Sequence, residues 1–242
     1  MSLFDNLSRE RLEKMAAAGA EVLECYRVLE KTSANVVGQV IEHGGTFYEW
    51  DHYPEGDVYD HETYGQYYYH SHRPEDGEHG HFHLFVRREG IPGHMETKPF
   101  VGVEEWPEGD DIICHLIAIA MEPKGYPTHL FTTNRWVTGE HWYGAEDVTA
   151  LLDSFVIDHT FPSWAVNRWV TAMVALYHPQ IAQLLLDRDD VIQAWSESHD
   201  GDVLEDRDLE LTSKISLDIK HQIKQINKAL KRFKETSNTW GH

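Results

Sequence analysis

Residues 64–88 read YGQYYYHSHRPEDGEHGHFHLFVRR, two aromatic and β-branched runs separated by a Pro-Glu-Asp-Gly turn signal. Runs of that kind on either side of such a turn predict an antiparallel β-hairpin. In a strand, residues two apart share a face, so Gln66, Tyr68, His70 and His72 lie together, and so do His81 and His83. If the turn is centred on Pro74 to Gly77, His72 pairs with His81 and His70 pairs with His83. Four imidazoles then stand on one face, with opposed Cβ atoms about 4.5–5.5 Å apart.

Working outward, the chain from about 45 to 138 keeps this β character. Strands are expected near 45–51, 64–72, 80–88, 112–121 and 128–137, punctuated by PEGD, IPGH, PEGDD and EPKGYP. Ile112 to Met121 is apolar on both faces, which suits a central strand covered from both sides. Upstream, residues 8–31 carry Leu12, Met15, Val22, Leu23, Tyr26 and Leu29 at helical spacing after a capping Ser8. Gly19 falls on the same stripe and weakens that helix. Residues 35–42 fit a helix or a strand equally well. Beyond residue 144 the pattern is helical over 145–159, 163–177, 179–196 and 206–235, with Ser163 and Pro179 as start signals. The expected fold is therefore α+β: an N-terminal helix, a central antiparallel sheet of about five strands, and a helical C-terminal third. Residues 1–205 form one domain, with the sheet at about 45–138 and helices at about 8–31 and 145–196. Residues 206–242 form an amphipathic helix and tail, whose stripe of Ile215, Ile219, Ile223, Ile226, Leu230 and Phe233 could cover the body or pair two copies as a homodimer.

The charge limits the partners. With 41 acidic and 21 basic residues the net charge is -20, a surface that repels phosphate backbones and argues against nucleic acid. No apolar run reaches the length that spans a bilayer, and no signal peptide opens the sequence, so a membrane partner is not expected. Two cysteines, Cys25 and Cys114, each among apolar residues, fit reduced buried thiols in a cytoplasmic protein.

The histidine hairpin carries the chemistry. His70, His72, His81 and His83 form a ligand pool for a divalent transition metal, iron or zinc, with a carboxylate from Glu55, Asp57 or Asp60 to complete it. Three nitrogens and a water suit zinc; two histidines and a carboxylate suit non-haem iron. The competing reading is a polar, solvent-facing sheet surface, in a chain that holds 17 histidines. Asn134-Arg135-Trp136-Val137-Thr138 recurs as Asn167-Arg168-Trp169-Val170-Thr171. Arg135 could clamp a small anionic substrate through its planar fork, assisted by Asn134, Trp136, Tyr68 and Arg168. His81 and Arg135 are the candidate catalytic pair. A non-catalytic binding or assembly protein is the competing class.

Two resemblances attach to these residues. His79-Gly-His81-Phe-His83-Leu-Phe resembles the signature of histidine-triad nucleotide hydrolases, which implies His81 as a phosphate-attacking nucleophile. The segments FYEWDHYPEGDVYD (47–60), QYYYHSH (66–72), GEHGHFHLFVR (77–87) and LFTTNRWVTGE (130–140) resemble a bacterial family known as a domain of unknown function. That second resemblance covers about the middle 100 residues and implies no activity or cofactor.

Overall fold

A computed structural model describes residues 3–42, 44–72, 77–98 and 105–238. Strands β1 (Tyr53–Tyr59), β2 (Gly65–His70), β3 (Gly80–Arg87), β4 (Ile113–Met121), β5 (Pro127–Thr133) and β6 (Leu211–Ser216) form one sheet in the order β1-β2-β3-β4-β5-β6. Every neighbouring pair is antiparallel. Helices α1 (Arg9–Glu30) and α2 (Val36–Ile41) precede the sheet. Helices α3 (Arg135–Thr138), α4 (Ala145–Leu151), α5 (Trp164–Leu176) and α6 (His178–Ser198) are inserted between β5 and β6, and α7 (Ile219–Asn238) follows. The fold is α+β, as the hairpin and helical periodicities imply.

Four expected elements differ, among them the helix expected over 145–159, which ends at Leu151. Residues 45–51 are not a strand; the edge strand lies later, at Tyr53–Tyr59, and Trp50 sits at a positive φ of 74°. Residues 134–137 leave the sheet, because the Asn134 side chain accepts from Arg135 N–H and caps α3. The helix expected from 206 begins at Ile219, and Leu211–Ser216 adds a sixth strand alongside β5. Ile215 and Ile219 have helical spacing, but Ile215 pairs with Leu130 across the sheet. Long-range pairing here overrides local periodicity.

The sheet has two unlike faces. One presents Tyr67, Tyr69, Phe82, Leu84, Ile117, Ile119 and Leu130 to the helices in a single core. Phe82 meets Trp169 of α5 at 5.7 Å between ring centroids, and Tyr67 Oη donates to buried Asn167 at 2.6 Å. Helix α1 buries Leu12, Met15, Val22, Cys25 and Leu29. Gly19 is where α7 crosses closely: a β-carbon there would come 2.8 Å from Ile223 Cγ1. Ile226 of α7 is fully buried in this core, with Ile219, Ile223, Leu230 and Phe233 packed at its margin. The opposite face carries the histidines.

Candidate metal centre

The hairpin pairs two residues out of the expected register. His70 stands opposite His81, and Tyr68 opposite His83. A shift of two residues preserves the face, so the histidines still converge, whereas a shift of one would have turned them into the core. Most of the turn expected around Pro74 to Gly77 lies outside the described residues. His70, His81 and His83 are all buried, His81 and His83 completely, which rules out a solvated histidine surface. One ring nitrogen from each of these three lies within 4.8 Å of the others. That separation is compatible with a shared transition-metal ion at about 2.0–2.1 Å per nitrogen after small ring movements.

The surrounding groups assign ring nitrogens. His70 Nε2 and His81 Nε2 are 2.7 Å apart. Glu78 Oε1 hydrogen-bonds His81 Nδ1 on the far side of that ring. His83 Nδ1 lies 3.0 Å from Nε2 of His115, a β4 residue absent from the ligand pool read in the sequence. With a proton on each Nδ1, the Nε2 atoms of His81 and His83 would be the ones that could bind a metal. A carboxylate or second imidazole on the outer nitrogen is how metal-bound histidines are held in one tautomer. In that arrangement Glu78 would hold a candidate ligand from outside. His72 borders the cluster, 4.9 Å between centroids from both His70 and His81, and its ring is stacked under Trp50 at 4.4 Å.

Asp57 is at the border as well. Its two oxygens bond His52 Nδ1 at 2.9 Å and Gln66 Nε2 at 2.7 Å. His52 stacks on Tyr68 at 3.7 Å between centroids and meets His70 edge-on at 5.7 Å. The β1–β2 register shifts between Tyr53 and Val58, and there Gly56 and Asp57 take positive φ. This detour walls a cavity of about 750 Å³, lined by Tyr48, Asp51, His52, Glu55, Asp57 and Arg87 among others. Arg87 is turned toward Gln66 Oε1, at 2.8 Å, and the Asp110 carbonyl. Asp60 lies elsewhere, its carboxylate accepting backbone N–H groups of Glu62, Thr63 and Asp158. Those bonds hold its pKa below the usual aspartate value against the opposing pull of burial.

Behind His83 the sheet face is buried. Burial drives His115 from its usual value down to about 3, so it is a neutral ring, and Arg188 adds to that push. Glu140 is fully buried, and desolvation raises it to about 7 against the pull of Arg188. Burial also raises the Tyr68 hydroxyl well above the ordinary phenol range.

The other predicted site residues are placed apart from the imidazoles. Arg135 pairs with Glu205 and lies over the Trp106 ring at 4.8 Å. Asn134 donates to the Val203 carbonyl, and Trp136 Nε1 donates to Leu209 O. Arg168 sits on the helical side, bound to Glu21 and over Trp164. The two Asn-Arg-Trp segments thus contact different neighbours. His115, Glu140, Glu78 and His52 are the residues that pattern reading missed; His115 was visible as the one histidine within the apolar run 112–121.

These features define an α+β protein with a buried histidine cluster on the non-helical face of its sheet. The chain belongs to the family described as a domain of unknown function, DUF6969, whose model matches residues 16–217. No curated protein and no solved structure matches it. The comparisons show no histidine-triad relation, and His79 is turned away from His81, its Nδ1 bonded to Tyr69 Oη at 2.7 Å. No helix among the described residues is long and apolar enough to cross a membrane.

Proposed function

We propose that this protein binds one divalent transition metal through His70, His81 and His83 and uses it as a metal-dependent enzyme. The observation that carries the reading is the convergence of three buried imidazole nitrogens within 4.8 Å, in a cluster where Glu78 holds His81 from outside. Among the described residues the converging donors are three imidazole nitrogens, a set that suits zinc. Three protein ligands leave a position for water or substrate, where zinc would supply Lewis acidity.

The cavity at His52 is the side from which substrate reaches this centre in our reading. Asp51, Glu55 and Asp57 outnumber Arg87 there, so the cavity favours a cationic or polyhydroxylated molecule over the small anion expected at Arg135. The His52–Asp57 pair supplies an oriented imidazole for proton transfer. The assembly alternative draws on α7, whose apolar stripe instead packs on its own core.

Elemental analysis of protein purified without chelators tests the metal. Near-stoichiometric zinc, lost in His70→Ala, His81→Ala and His83→Ala, is the expected result. No metal as purified and none after incubation with zinc or iron(II) would refute the proposal.

A further inference from the structure

The β3–β4 ladder contains an irregularity beside the histidine cluster. Leu84 pairs with Ile117, but Phe85 pairs with His115, so Leu116 is an extra residue on β4. On a regular strand His115 would share a face with Ile117 and Ile119, which point into the helical core. The bulge reverses that parity and delivers the His115 ring to the histidine face, 3.0 Å from His83 Nδ1.

A bulge needs its disrupted backbone groups satisfied. Here the His115 N–H is taken by the side chain of Glu140, Oε2 at 2.7 Å. Glu140 is fully buried, and its second oxygen is 3.4 Å from Thr138 Oγ1. The segment bearing it is pinned to the same strand, since His141 N–H donates to Ile113 O at 2.9 Å. Gly139, at a φ of 65°, closes α3 and turns the chain there.

We infer that Glu140 and His115 are positioning residues for the metal centre: Glu140 fixes the β4 bulge, the bulge presents His115, and His115 holds His83 with Nε2 toward the ion. This rests on the reading that His70, His81 and His83 bind a metal. It adds two residues that touch neither the ion nor substrate.

Cobalt(II) is the probe, because its visible spectrum reports ligand geometry and its affinity can be read against a competing chelator. His115→Leu is expected to weaken Co(II) binding about 10- to 100-fold and to shift the visible bands. Glu140→Gln, whose amide oxygen can still accept the His115 N–H, stays near wild type, whereas Glu140→Leu behaves like His115→Leu. Wild-type protein that takes up no Co(II) overturns the metal reading itself. Wild-type uptake with unchanged affinity and bands in His115→Leu overturns this inference alone. A measurement on the unaltered zinc-loaded protein does not depend on any variant folding: long-range ¹H–¹⁵N correlations of its imidazoles should show His83 protonated at Nδ1. A His83 protonated at Nε2 refutes the inference.

Discussion

His70 and His81 oppose each other across the β2–β3 pair with their Nε2 atoms 2.7 Å apart. Two nitrogens on one tetrahedral metal stand about 3.3 Å apart, given bonds of about 2.0–2.1 Å. A metal bound between them would replace this contact and open the pair by about half an ångström. Metal should therefore stabilise the fold by mass action, about 2.7 kcal/mol at a free ion concentration 100 times its Kd. For a chain of this size that is roughly 5–10 °C in Tm. Differential scanning calorimetry with and without zinc reads it directly. His81→Ala should abolish the shift; an equal shift in that variant would remove His81 from the ligand set.

The pH dependence of stability follows from two buried neighbours of opposite sign. Glu140 is raised to about 7 in the fold, so between its unfolded pKa and 7 the native state holds a proton that the unfolded chain has lost. His115 is lowered to about 3, so below 6.5 the unfolded chain holds a proton that the native state refuses. From about pH 4.5 to 6.5 these two proton counts cancel, and the pair contributes a flat profile. Glu140→Gln removes one half of the balance. Its stability, relative to wild type, should rise with pH across that window by about 1.4 kcal/mol per unit, one proton's worth. Urea titrations of both proteins at pH 5.0, 5.5, 6.0 and 6.5 would show it. Parallel profiles would mean that the two groups do not titrate as their burial implies.

Gly80 sets how closely the strands approach beside the cluster. A β-carbon there would come 2.6 Å from Tyr69 Oη and closer still to the His70 carbonyl. Gly80→Ala should cost about 1–3 kcal/mol as an overpacked site and loosen the His70–His81 contact, so metal affinity falls with stability. Gly93, where an added β-carbon would meet nothing within 4 Å, is the control, and Gly93→Ala should stay within about 0.5 kcal/mol. Chemical denaturation separates the two. Equal costs at both positions would show that strand approach at Gly80 is not tight.

Much of this centre could be read from residues 64–88, because strand parity depends only on spacing two. That parity survived an incorrect register. The register itself was not legible, since hydrophobic alternation is unchanged by a shift of two residues. His115 was hidden for the opposite reason: it has the parity of a core residue, and only the bulge at Leu116 reverses it. Glu78 lies just past the turn expected at Pro74 to Gly77, and its bond to His81 depends on how the chain enters β3. The helices at 9–30, 164–176 and 178–198 were marked by Ser8, Ser163 and Pro179, local signals that tertiary context left intact. Strand β6 carried no such local mark, because its reason to be a strand is the open edge of β5.

Arg135 illustrates the limit of a scarce residue as a signal. Arginine occurs only at 135 and 168 between residues 89 and 187, and that scarcity points to substrate, yet the Arg135 guanidinium meets Glu205, 70 positions along the chain, and the face of Trp106. A buried guanidinium with a carboxylate partner is costly to break from one side, because the remaining charge is left desolvated. Arg135→Ala should therefore destabilise the protein by about 3–5 kcal/mol, and Glu205→Gln should weaken it through the same contact. The double variant should cost less than the sum of the two, as coupled partners do. Co(II) or zinc affinity of the folded fraction should remain within about threefold of wild type, since a change of that size is under 1 kcal/mol. Denaturation curves for the three variants and a metal titration of Arg135→Ala decide the matter. Unchanged stability combined with lost metal or ligand binding would return Arg135 to the site; the expected result places it in the scaffold that holds β5, α3 and the 203–205 turn together.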